Sequence, residues 1–122
     1  MADAAGMSSP LVRSTAVGTV LQLAMVVAGH YVPAIKGQFM VGGLSISAVA
    51  GLLYSLWSKG GSPAAAVKGG AIAGGGSAFL GILVSNLLKD VPAAVLGFGT
   101  AGSVVTGIVG GFLGRFLGKS SA

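Results

Sequence analysis

The stretch VPAAVLGFGTAGSVVTGIVGGFLGRFL, residues 91–117, decides the fold. From Val91 to Gly114 it contains no charged side chain, and a helix needs only about 20 apolar residues at 1.5 Å per residue to cross a bilayer core. Within it small residues recur every fourth position. Gly99, Ser103, Gly107 and Gly111 form one row, and Gly102, Thr106, Gly110 and Gly114 form the row beside it. Residues four apart share a helix face, so this segment presents a smooth strip on which another helix can lie flush. In lipid, where apolar burial between helices supplies little drive, such faces gain van der Waals packing through close backbone approach. The strip predicts glycine-zipper packing.

The rest of the chain has the same character. Of its 122 residues, 23 are Gly, seven are Lys or Arg and two are Asp or Glu, whereas soluble domains carry about 25% charged residues. Leu, Val, Ile and Phe are too abundant for a disordered Gly/Ala-rich chain. A net charge of +5 raises nucleic-acid binding, but the basic residues are scattered singly, with no basic patch interleaved with aromatics, so no nucleic-acid partner is expected. The lack of cysteine removes disulfides, thiol nucleophiles and Cys-based metal sites.

Working outward, four spans are predicted: roughly 14–31, 38–57, 69–88 and 91–113. Pro33 and Pro92 stand at the two tight junctions, where proline opens a helix without losing a needed hydrogen bond. The predicted organisation is a flexible N-terminal segment over 1–13, a first transmembrane hairpin over 14–57, a Gly/Ser/Pro linker over 58–68, a second hairpin over 69–117 and a tail over 118–122. Arg13 before an apolar run fits a signal peptide, yet an internal repeat argues that the first span is kept. Ser9-Pro10 corresponds to Ser62-Pro63 and Val32-Pro33-Ala34 to Val91-Pro92-Ala93, after which a constant offset of 59 pairs Phe39 with Phe98, Gly43 with Gly102, Ser47 with Thr106 and Gly51 with Gly110. Repeats of two spans each share one orientation, so the halves should be related by an axis along the membrane normal. The fold class is therefore all-α: an integral membrane four-helix bundle of two similar helical hairpins.

Arg13, Lys59, Lys68, Arg115 and Lys119 fall on the side of the termini, against Lys36 and Lys89 on the other. The positive-inside rule then puts both termini in the cytoplasm, in a bacterial inner membrane.

Polar side chains inside spans are the default functional candidates. Gln22 lies mid-span, Ser77 and Ser85 lie on the corresponding polar face of the third span, and His30 is the one histidine, placed where Asp90 of the other hairpin's turn can face it. These four are the pore- or cargo-facing candidates. Gly43, Ser47 and Gly51 with Gly102, Thr106, Gly110 and Gly114 are the helix-packing candidates. The spans hold no carboxylate, so acid/base catalysis lacks its groups. No G-x-S-x-G elbow or phosphate loop is complete, and too few ligands exist for a metal. Neither catalysis nor a cofactor is expected. Two functions remain: a homo-oligomeric channel or carrier for a small neutral or anionic solute, with any pore between subunits, or a non-catalytic scaffold or accessory subunit that docks on another membrane protein. The bilayer is a partner in both.

Overall fold

Serine followed by proline opens each half of the chain. The Oγ of Ser9 accepts from the Val12 amide at 3.2 Å, and that of Ser62 from the Ala65 amide at 3.1 Å. Each satisfies an N–H that a helix start leaves unpaired, with proline at the first helical position where no N–H is missed. The protein, described by a computed structural model over residues 9–58 and 62–121 with side chains to Leu117, is helical through almost all of that length. In chain order the helices are α1 (Pro10–Tyr31), α2 (Pro33–Lys36), α3 (Phe39–Trp57), α4 (Pro63–Leu87) and α5 (Ala93–Ser121).

The caps start α1 and α4 earlier than apolar periodicity alone places them, so Pro10–Arg13 and Pro63–Lys68 are helical rather than flexible segment or linker. With no proline to stop it, the α5 backbone runs through most of the expected tail, to Ser121. Residues 1–8 of the expected flexible segment, residues 59–61 of the linker and the Lys119 side chain lie outside the described residues.

Four of these helices are long and apolar enough to cross a membrane. Their packing is inverted relative to a water-soluble core. The largest fully buried side chains are serines: Ser14, Ser47, Ser55, Ser77 and Ser85. Large apolar residues such as Val20, Met40, Leu87, Phe98 and Phe116 face outward. A chain that buries small residues and exposes large apolar ones is built for an apolar solvent, and we describe it as an integral membrane protein.

α1 and α4 run one way and α3 and α5 return. At one end the Arg13 guanidinium lies 4.4 Å from the centre of the Trp57 ring. At the other end α1 meets the turn between α4 and α5. The tightest partners of α5 are α3 and α4, and its two small-residue rows divide between them. In the row facing α4, a β-carbon on Gly107 would strike the Gly70 carbonyl, and one on Gly111 would lie 2.6 Å from the Ala66 carbonyl oxygen. In the row facing α3, a β-carbon on Gly110 would strike the Ala48 carbonyl and one on Gly114 the Leu52 carbonyl. Gly51 of α3 in turn meets the Gly107 carbonyl. The small-residue faces over these stretches are thus filled from within the chain, and they are not free surfaces of the folded protein.

Candidate functional site

Toward the end that carries the hairpin turns, the bundle does not close. A cavity of about 660 Å³ lies among all the helices, within the range of ordinary ligand pockets. Its apolar wall includes Met25, Leu44, Ile82, Val95 and Phe98, and its polar lining includes Gln22, Ser85 and Ser103, with Lys36 and Asp90 at the turn end. Span lengths alone place any route between subunits, because four short spans leave little interior space; the opening instead lies within one chain. Side-chain size explains it. Here the small α5 positions Gly99 and Gly102 face the ends of Ile82 and Leu44, which hold the helices apart.

The other half is solid. A β-carbon on Gly74 would lie 2.7 Å from the Gly107 Cα, 2.8 Å from the Ser103 carbonyl oxygen and 3.0 Å from that of Ser47. Three backbones meet there, and the cavity ends above them.

Gln22 forms the polar floor. Its Nε2 donates to the Gly43 carbonyl at 3.1 Å and to Ser47 Oγ at 3.2 Å, tying α1 to α3. A carbonyl can only accept, so the amide nitrogen has to point that way. Gln22 is itself only 2% exposed. Gly81 of α4 passes close by, since a β-carbon there would lie 2.7 Å from Gln22 Cβ. One turn further along α4 comes Ser85, 2% exposed, with an Oγ that has no hydrogen-bond partner. Buried polar groups are ordinarily paired, and Ser85 is the one cavity-lining residue among the four hydroxyls, with Thr15, Ser55 and Thr100, that are buried without a partner among the described residues.

At the turn end, three charged or titratable side chains cross from one hairpin to the other. His30 Nδ1 lies 2.8 Å from Asp90 Oδ2, and Lys36 Nζ lies 3.0 Å from Asp90 Oδ1. The hydrogen bonds from His30 and then Lys36 hold the Asp90 carboxyl below its ordinary range. Backbone geometry aims that carboxylate. The amide of Lys89 donates to the Asn86 carbonyl and that of Asp90 to the Ser85 carbonyl, with Lys89 at φ 64°. This is a Schellman ending, with lysine in the left-handed position usually given to glycine.

Of the four cargo-facing candidates, Gln22 and Ser85 line the cavity. His30 belongs to the clamp beside it. Ser77 lies elsewhere: its Oγ donates to the Gly74 carbonyl at 3.1 Å, and its side chain packs against Gly18 of α1. Lys36 and Asp90 are not among the four. Asp90 is the residue expected opposite His30, and the two do meet; for Lys36 the only signal in the sequence is a charge opposite to that of Asp90 in the other turn. Among the described residues no three His, Cys, Asp or Glu side chains gather to hold a metal. No protein-family model, curated protein or solved structure matches this chain.

Proposed function

We propose that this is a non-enzymatic membrane carrier that accepts a small solute in the crevice between its helices at the turn end. The observation that carries this reading is a ligand-sized cavity whose wall includes two buried polar side chains with unused hydrogen-bonding capacity, Gln22 and Ser85. The solid half below it favours a carrier, open to one side at a time, over a standing pore. Because the packing faces are occupied within the chain, the reading needs no oligomer. For the same reason a scaffold that docks through those faces is the weaker alternative.

We further read the two hairpins as a parallel internal repeat packed as a glycine zipper. Contacts between residues 59 apart support this. Gly18 meets Ser77 and Gln22 meets Gly81, while the pair Gly51 with Gly107 has its counterpart in Gly110 with Ala48. Arg13, Lys68 and Arg115 toward the terminal end favour cytoplasmic termini in a bacterial inner membrane, so that the crevice opens outward.

The absence of native cysteine makes the test direct. Single cysteines at Ala78 and Val95, in liposome-reconstituted protein, are exposed to a membrane-impermeant thiol reagent from each side. The carrier reading expects fast modification from the turn side and slower modification from the terminal side. Modification from the turn side alone overturns carriage, leaving a binding site without transport.

A further inference from the structure

We infer that the crevice takes a neutral amphiphile: an apolar body bearing one group that both donates and accepts a hydrogen bond, an alcohol or an amide. It discriminates against anions. This rests on reading the crevice as the solute site, and it follows from the polar valences left over there. Both Nε2 hydrogens of Gln22 are used, by the Gly43 carbonyl and Ser47 Oγ, which leaves Oε1 as a pure acceptor. Ser85 Oγ is unpartnered and has one O–H to give. A carboxylate needs donors, and deep in the crevice it would meet the hydroxyls of Ser85 and Ser103 beside an oxygen whose lone pairs repel it, while Lys36, the cation of the lining, is already paired with Asp90 at the turn end. A cation would find one neutral amide oxygen and no free carboxylate, since both Asp90 oxygens are engaged, one by His30 and one by Lys36, and it would share the crevice with the Lys36 ammonium. An alcohol fits both vacancies, donating to Gln22 Oε1 and accepting from Ser85.

α1 and α4 run in the same direction, Gln22 lies level with Gly81, and Ser85 is four residues, about 6 Å, further along the axis, so the two groups follow one another along the crevice. The apolar body is set by the walls, where Met25 and Met40 add adaptable surface. The route of entry is set by exposure. Met40 and Phe98 both line the crevice and are 77% and 79% exposed, so it opens between α3 and α5 toward the lipid as well as toward water past Lys36. A molecule arriving from the outer part of the bilayer has to be amphiphilic.

The test uses the full chain in lipid nanodiscs at pH 8 and three photoreactive ten-carbon chains with a mid-chain diazirine. They end in a hydroxyl, a carboxylate or a methyl group. Label on Met25, Leu44 and Ile82 is read by peptide mass spectrometry. The hydroxyl probe is expected to label these residues about tenfold more than either other probe, since two modest hydrogen bonds together are worth about one decade. Ser85→Ala should abolish most of that preference. Ser55→Ala, which removes another partnerless hydroxyl in the solid half, should leave it intact. Equal labelling by the carboxylate overturns the neutral class while leaving the crevice as the solute site. Equal labelling by the methyl-ended chain assigns the space to lipid and removes the polar anchor. If no probe labels the crevice, the site itself falls, and the carrier with it.

Discussion

The two ends of the bundle are made of similar residues and behave oppositely. Glycines on α5 lie in both. Gly107, Gly110 and Gly114 at the terminal end touch the backbones of α3 and α4, whereas Gly102 at the turn end meets only the tip of Leu44, and Gly97 has nothing within 4 Å of where a side chain would start. The difference is in the partner. At the terminal end Gly107 faces Gly51, Gly70 and Gly74 and Gly110 faces Ala48, small on small, while Gly114 rests on the backbone of Leu52, and backbones come together. At the turn end Gly99 and Gly102 face the side chains of Ile82 and Leu44, which act as spacers. A small-residue strip is therefore half of a contact, and whether it closes or leaves a cavity is decided by the opposite helix.

The largest effect should come from inserting one methyl group at each end. In Gly107→Ala the new carbon meets the Gly70 carbonyl and the Gly74 Cα, neither of which can rotate away. The expected loss is about 3 kcal/mol, at the upper end of ordinary overpacking. Gly97→Ala fills open space and removes a flexible residue from a helix, so a gain of about 0.5–1 kcal/mol is expected. Unfolding of both variants in mixed ionic and nonionic micelles makes the comparison. Similar losses at the two positions would mean that the ends do not differ in packing.

Gln22→Leu comes next and sharpens the boundary between the halves. Two hydrogen bonds from α1 to α3 disappear; at about 0.6 kcal/mol each in a membrane, the loss should be about 1–2 kcal/mol. Ser47→Ala removes only one of them and should cost about half as much in the same unfolding measurement. If the two substitutions cost the same, the Gly43 carbonyl contact contributes nothing.

The boundary also shows where sequence reading succeeds. Four apolar runs, tight turns at Pro33 and Pro92 and the polar positions Gln22 and Ser85 inside the spans are legible, because span length and intramembrane polarity are properties of the chain itself. Helix starts at Pro10 and Pro63 are less so, since a Ser-Pro cap overrides the apolar pattern that locates a span. The cavity is not legible at all. It depends on Leu44 and Ile82 standing opposite Gly102 and Gly99, a pairing that exists only after the helices are assigned to one another. The different surroundings of Ser77 have a similar origin: on α4 it has the same periodic position as Ser85, but Gly18 rather than the cavity lies across from it.

Acid should act on the turn end alone and by less, since His30 and Lys36 remain 34% and 42% exposed in the clamp and solvent screens their attraction. The folded protein holds the Asp90 carboxyl below its ordinary 3.8, so the folded state favours the carboxylate. Its contribution is full above that ordinary value and is lost as pH falls through the lower, folded one. Stability attributable to Asp90 should therefore be constant from pH 7 to about 4 and decline only below. Asp90→Asn should remove that acid-side decline without altering the response of Gly107→Ala. A decline that begins near neutral pH in the wild type and vanishes in Asp90→Asn would contradict the depressed carboxyl.

Lys89→Gly is the smallest and most local of these tests. The left-handed conformation at Lys89 costs a residue with a side chain about 1 kcal/mol or more, and glycine adopts it freely while giving up conformational entropy on folding. The two nearly cancel, with a net gain of about 0.5 kcal/mol if the strain is merely local. The same turn aims Asp90 at His30 and Lys36, however, and its two capping hydrogen bonds run from the backbone of residues 89 and 90 to α4. Glycine keeps those bonds, so the clamp should persist and the acid-side behaviour of Asp90 should be unchanged. A gain in stability with an intact acid response separates turn strain from clamp strength. A gain accompanied by loss of the acid response would show instead that the Lys89 side chain helps hold the carboxylate in place, and that the two hairpins are coupled through more than His30, Lys36 and Asp90.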